Sequence, residues 1–444
     1  MKNTTGSCRR ASDRAVTANR SSRLRTVVLS ASLVVAAVDP SWAQTNSGVS
    51  PAQSASACAT RGSWIDVKTG QPLDRGELFR DLAAKSAVVL LGESHTDADH
   101  HRWQLHTLAA LHGRGGHIVI GFEAFPRRLQ SVLGDWVDGK LTDEAFLKAS
   151  EWRQVWGYDA ALYMPLFQFA RLNRIPMIAL NVEQRLVSRV GQQGWDGVPA
   201  AEREGLSDPA PASAAYQREL ARVYLIKKAL PPGSDPISAS QGPSPPEPDE
   251  AALTEAVKEP EFKRFVEAQL TWDRAMAEAL AGAKRNFSDA TVVGILGSGH
   301  VAEGYGVPHQ LEALGVAGVT SLIPVSADEA CMLVGTSYAD AVFTLPHEDE
   351  TPPPERPRLG VVLVDGDGAP RINRVVGDSV AEIAGLKVGD HVVRAAGLAI
   401  RKPDELVEVI GRQAPGTWLP LSIRRDGQEI DLVAKFPTRP RQDR

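Results

Sequence analysis

Four short apolar runs do most to constrain this chain: Ala87–Leu91 (AVVLL), Ile118–Phe122 (IVIGF), Pro176–Val182 (PMIALNV) and Thr291–Leu296 (TVVGIL). Each is bounded by glycine or polar turns, and helical periodicity lies between them, over His101–Leu111, Thr142–Ala149 and Phe262–Ala281. A strand with one wet face alternates apolar and polar residues, whereas a strand covered on both faces reads as a continuous apolar run. Runs of the second kind separated by helices predict a doubly wound, mostly parallel α/β sheet. With 444 residues the chain also outgrows a single core, so a second domain is expected.

The pattern breaks twice. Between Trp195 and Pro260 one helical stretch, Tyr216–Leu230, is followed by PPGSDPISASQGPSPPEPDE, which holds too much Pro and Ser to pack as a core. The segment 195–260 is therefore predicted to be a helical insertion with a mobile loop. The second break, HEDETPPPERP over His347–Pro357, predicts a linker. An α/β domain is thus expected over 61–346, and a small β-rich domain over 358–438.

Ligands of open α/β sheets bind at the carboxyl ends of the strands. Three runs end in ionisable residues placed next to glycine: Gly92-Glu93-Ser94-His95, Gly121-Phe122-Glu123 and Gly297-Ser298-Gly299-His300. Six of the ten histidines (His95, His100, His101, His106, His112 and His117) fall around the first strand and its helix. His101, six residues past His95, is expected to face the same crevice, while His106 and His112 are expected on solvated or packing faces. Two imidazoles and two carboxylates without a cysteine suit a divalent transition metal with an activated water. They also suit a metal-free His/Glu pair acting as general base in an esterase or peptidase. No HExxH, GxSxG or Walker sequence is present.

The first 43 residues predict export. Seven basic residues precede an apolar run, Thr26–Val38, which is too short to span a bilayer and is followed by Ser41-Trp42-Ala43. Removing 1–43 takes the formal net charge from −5 to −10, which leaves no basic footprint for nucleic acid. Residues 44–60 are predicted to be a flexible tether. Cys8 precedes the apolar run and Cys58 lies well beyond it, so a periplasmic or secreted form without a lipid anchor is expected. Cys58 and Cys331 would remain, either as a disulfide or as two separate thiols.

Five segments in order, LGESHTDADHHRWQ (91–104), FEAFPRRLQ (122–130), EWRQVWGYDAALYMPLFQFARLNRIPMIALNV (151–182), AQLTWDRAMA (268–277) and GSGHVAEGYGVPHQL (297–311), resemble the motifs of the ChaN family of iron-regulated proteins. The resemblance implies an exported haem-binding protein of haem or iron uptake. Its cofactor, haem or a related tetrapyrrole, would lie among Glu93, His95, His101, Glu123, Tyr158, Tyr163, His300 and Tyr305. Tyr158 or Tyr163 would be the iron ligand, and a homodimer is possible; the other reading of these two tyrosines is packing beside Trp152 and Trp156. Related GExH signals occur in erythromycin esterase and Tiki-type proteases, which keeps hydrolysis as the alternative. The C-terminal part, with LGVVLVDGDG and DSVAEIAGLKVGDHVVRAAGLAI, resembles a PDZ domain. That likeness implies capture of a protein C-terminus or extended peptide, its carboxylate held near Leu359, Gly360 and Val361.

Overall fold

The computed structural model describes residues 60–229, 247–345 and 357–438. The proposed signal segment, most of the tether, Cys58, nearly all of the linker and most of the Pro-rich loop lie outside these residues. The chain divides into two compact units, 1–347 and 348–444.

The first unit is built on an eight-stranded sheet: β1 (Trp64–Asp66), β2 (Pro72–Leu73), β3 (Val88–Glu93), β4 (Ile118–Pro126), β5 (Met177–Asn181), β6 (Thr291–Gly297), β7 (Val319–Val325) and β8 (Ala341–Thr344). The strand order is β2-β1-β8-β7-β3-β6-β4-β5. The six strands β8 to β5 in that order are parallel to one another, and β1 and β2 close one edge antiparallel. All four apolar runs became strands, and β3, β4 and β6 are buried along their whole length.

Burial on both faces explains that composition. Val89, Leu91, Ile120, Phe122 and Ile295 join one core, with the helices Ala98–His112 and Ala160–Leu172. Val88, Leu90, Val119, Val292 and Leu296 join the other, with the helices Gln184–Gln193 and Pro260–Asn286. The long helix is seated through small side chains, Ala275, Ala277 and Ala281, and through Met276 and Leu280. This is the doubly wound arrangement expected from the sequence.

The segment expected to be an insertion is more integrated than its composition suggests. Trp195, Val198 and Leu206 are part of the second core. Tyr216, Leu220 and Ala221 of the helix Ala214–Ala229 pack with Leu253, Ala256, Phe262, Val266 and Leu270 in a separate helical cluster. Cys331 lies half-buried on the helix Ala327–Leu333.

The second unit is a β-rich fold of β9 (Val361–Val364), β10 (Arg371–Val375), β11 (His391–Ala395), β12 (Leu398–Ala399), β13 (Trp418–Arg425) and β14 (Gln428–Lys435). Its order is β14-β13-β11-β10-β9, with β12 on β11, so β9 is an edge strand. Asp390, 1% exposed, receives Arg425 at 2.7 Å through both Nε and Nη2, and Arg425 also donates to the Gly385 carbonyl. That fork pins the Gly385–Asp390 turn ahead of β11. Gly360, just before β9, has φ +87°, and a Cβ there would lie 2.3 Å from that of Ser379. Only glycine fits the entry to this strand.

Candidate functional site

Parallel register brings the polar strand ends together. Glu93 pairs with Gly297 at the ends of β3 and β6, and Phe122 of β4 pairs with Ile295. Between Phe122 and Pro126 the register of β4 against β5 slips, and Glu123 sits in this irregularity. A bulge at a strand end re-aims a side chain out of the ladder. Glu123 uses the freedom to accept the Gly297 amide at Oε2, 2.6 Å, and to bring Oε1 within 3.5 Å of His300 Nε2.

Two carboxylate–imidazole pairs result. In the first, Glu93 Oε1 meets His95 Nδ1 at 2.8 Å and accepts the Tyr163 hydroxyl at 2.5 Å. Its Oε2 accepts Gln104 Nε2 at 2.8 Å and lies 3.4 Å from His101 Nδ1. His101 Nε2 is 3.2 Å from the His95 carbonyl, which holds the turn after β3 against the next helix. Asp97 caps that helix by accepting the Asp99 and His100 amides, so His101 and Gln104 enter from its first turns. In the second pair, His300 Nδ1 is 2.6 Å from Asp273 Oδ1, and Asp273 Oδ2 accepts the Tyr216 hydroxyl at 2.7 Å.

Buried charge sets the electrostatics. Glu93 is 4% exposed. Burial alone would push its carboxyl up, but the charge of His101 and the bonds from His95 and Tyr163 outweigh that and hold it at about 2. His95 is raised above its ordinary value: burial opposes its charge, and Glu93 and Glu123 overcome it. His300 is likewise raised, by Glu123 and Asp273 against burial. Tyr163 and Tyr216 are pushed well above the usual phenol range by burial and by the carboxylates they donate to.

The sequence-derived residues divide accordingly. Glu93, His95, His101, Glu123, Tyr163 and His300 form one buried cluster. Tyr158 joins it through its ring, 5.0 Å from that of His95, with Trp156 on the same imidazole at 4.8 Å. Tyr305 instead packs at a tilt against Tyr216 in the helical cluster, at 5.9 Å between centroids. Gln104, Asp273, Tyr216 and Lys227 were not singled out from the sequence. Lys227, on the helix Ala214–Ala229, lies over the Phe265 ring, its ammonium is lowered to about 8 by burial, and its charge is felt by His300. Among the described residues no three His, Cys, Asp or Glu side chains are arranged to hold a bare metal ion, so the divalent-metal alternative finds no preset ligand group.

Two domains are therefore defined: a parallel α/β sheet with a carboxylate–imidazole cluster at its strand ends, and a PDZ domain, whose family profile matches residues 357–435. The profile of the haem-binding uptake family ChaN, of the Tiki superfamily, matches residues 79–311, and the chain belongs to that family. A solved structure titled as cofacial haem binding to ChaN of Campylobacter jejuni is similar at 16% identity and a TM-score of 0.45, covering 64% of this chain and 97% of that one. The HtrA-type protease AlgW with a decapeptide is similar at 22% identity and a TM-score of 0.18, over 19% of this chain and 30% of that one. A serine endoprotease from Yersinia pestis is similar at 23% identity and a TM-score of 0.17, over 18% and 29%. No curated protein matches.

Haem iron takes imidazole or phenolate ligands. Tyr163 does not fit the ligand role: its hydroxyl donates to Glu93, and a phenolate there would face that carboxylate directly. His95 fits, because a carboxylate on Nδ1 is the usual support for a ligating Nε2. Trp156 and Tyr158 surround the same imidazole with aromatic surface, their ring centroids 4.8 and 5.0 Å from it. The Trp156 indole N–H adds a buried donor, close to the Tyr163 hydroxyl but without a hydrogen bond of good geometry.

Gly297 keeps His95 in place. A Cβ there would stand 2.9 Å from His95 Cε1 and 3.1 Å from Nε2. Gly297→Ala is expected to leave the chain folded while displacing the imidazole, weakening ligand binding by roughly tenfold or more, as overpacking strain of about 1–3 kcal/mol implies. Circular dichroism and ligand titration of the same sample check it.

Proposed function

We propose that this is an exported haem-binding protein of haem or iron handling whose PDZ domain recruits a protein partner. The observation that carries the reading is His95, with its Nδ1 on Glu93 and its ring against both Trp156 and Tyr158, inside the span matched by the haem-binding family. When bound, haem supplies iron coordination and redox chemistry. Of the protein groups, His95 and Tyr158 would meet the iron or the ring; Glu93, Gln104 and Tyr163 orient His95; Asp273 orients His300. Titration of the purified chain with haemin is expected to give saturable binding with a shifted Soret band, and a featureless titration would remove the proposal.

Export is supported by the Thr26–Val38 run and the Ser41-Trp42-Ala43 sequence after it. The mature chain recovered from its compartment is expected to begin at Gln44, which terminal sequencing reads directly. For the PDZ domain, the edge position of β9 supports addition of an extended peptide there, its carboxylate near the amides of Leu359, Gly360 and Val361.

The two carboxylate–imidazole pairs favour a second reading, His/Glu-assisted hydrolysis at the same cluster. A chain that ignores haemin but cleaves an activated ester, with loss of turnover in His300→Ala, would replace the first reading by the second.

A further inference from the structure

The pairing of β10 with β9 contains one extra residue. Arg371 pairs with Val364 and Ile372 with Leu363, but Arg374 and Val375 pair with Val362 and Val361, so Asn373 is bulged. Residues three apart on a regular strand face opposite sides, and the bulge cancels this: Arg371 and Arg374 both stand exposed on the outer face, while Ile372 is fully buried. β11 repeats the device. His391 and Arg394 are three apart, Val393 is the extra residue between them, and Arg394 comes out opposite Ser422 as His391 does opposite Arg424.

Arg371, Arg374, Arg394 and Arg424 are thereby exposed on one face of the sheet, spread from β10 to β13. Arg425 is committed to Asp390, but none of these four makes an ion pair among the described residues. Basic and acidic residues balance over 357–438, 11 of each, so the sign of this face is a matter of placement. Its carboxylates, Glu429 and Asp431, stand on β14, the far edge strand. A strand added to β9 shares the basic end. Val361 and Leu363 pack on the core, whereas Val362 is 37% exposed. Residues directly opposite one another in an antiparallel pair point the same way, so peptide side chains opposite Val362 and Val364 turn to the arginines. With the terminal residue beside Val361, these are the residues one and three before it. They lie two strand spacings, about 10 Å, from Arg374 and Arg371, a gap that an arginine and a glutamate together close over a valine.

We propose that the partner of this domain is a protein C-terminus with acidic residues one and three positions before an apolar terminal residue, drawn by Arg374, Arg371 and, one strand further, Arg394. The inference rests on peptide capture at β9. Fluorescein-labelled decapeptides ending Glu-Val-Glu-X, Ala-Val-Ala-X or Lys-Val-Lys-X, with Val, Leu or Phe as X, are titrated into the full-length chain at low salt and followed by fluorescence anisotropy. The acidic set is expected to bind roughly fivefold tighter than the alanine set, the size of two exposed ion pairs, and the lysine set more weakly than either. Most of the difference should vanish in about 0.5 M NaCl. The double variant Arg371→Gln, Arg374→Gln should bring the acidic set down to the alanine set and leave the alanine set unchanged. Amidation of the terminus should abolish binding of every peptide. Equal affinity of the acidic and alanine sets would overturn the inference and leave peptide capture standing, whereas no binding by any peptide would remove both. Acidic binding that survives amidation would also overturn it. Co-sedimentation with phosphatidylglycerol vesicles, lost in the double variant and joined to equal peptide affinities, would assign the face to a lipid surface instead.

Discussion

Glu93→Ala is expected to lower the unfolding free energy of the α/β unit by roughly 3–5 kcal/mol, the usual cost of removing one partner from a buried ionic group. The residue accepts from Tyr163 and Gln104 and faces both His95 and His101, so its loss leaves several buried polar groups without their acceptor. Its own titration gives a consistent magnitude. A carboxyl held at about 2 against an ordinary 4.5 contributes roughly 3 kcal/mol at neutral pH. Because the folded value is the lower one, that contribution is complete above 4.5 and is lost as pH falls towards 2. The wild-type chain should therefore lose stability steeply across that window, and Glu93→Gln should flatten the slope. Thermal unfolding from pH 6 to pH 2 checks both, with the Ala variant expected to melt roughly 10 °C lower at neutral pH.

Asp273→Ala is expected to cost a similar amount, roughly 3–5 kcal/mol, since Asp273 is fully buried and holds both His300 and Tyr216. Its pH signature has the opposite sign. His300 and His95 titrate above 6.5 in the folded chain, so their contribution is complete below that value and is lost as pH rises through the folded values. The wild type should thus be most stable between about 4.5 and 6.5. Asp273→Asn, which keeps shape but removes the charge, should reduce the alkaline loss. Urea unfolding at pH 6 and at pH 9 measures it: an unchanged difference between the two pH values would show that His300 does not depend on Asp273 for its charge.

Those two carboxylates also show where the sequence was legible. Glu93 follows a glycine at the end of a continuous apolar run, so its strand, its position and its polarity all pointed one way, as for Glu123 and His300. Asp273 comes from a helix, where a single polar residue reads as part of a solvated face. The available signal was its setting: Leu270, Ala275, Met276 and Ala277 around it are all buried, so no wet face was left for it. Gln104 was hidden among the polar residues of DHHRWQ for the same reason. Of the strands, β3 to β6 were legible as unbroken apolar runs. β7, with Thr320, Ser321 and Pro324 within it, and the two- and three-residue β2 and β1 give no such run. Tyr163 was left between iron ligand and packing residue; its hydroxyl donates to Glu93 and its ring packs edge-on against Trp152, 5.2 Å between centroids.

The haem reading centres on His95, and the absorption spectrum of the haemin-loaded chain tests it most directly. Wild type and His95→Ala should be compared at equal haemin, with Tyr163→Phe as a third sample. A Soret band that shifts on binding in wild type, collapses towards free haemin in His95→Ala and survives in Tyr163→Phe is the expected result. An identical bound spectrum in wild type and His95→Ala would contradict it and move haem away from the strand-end cluster.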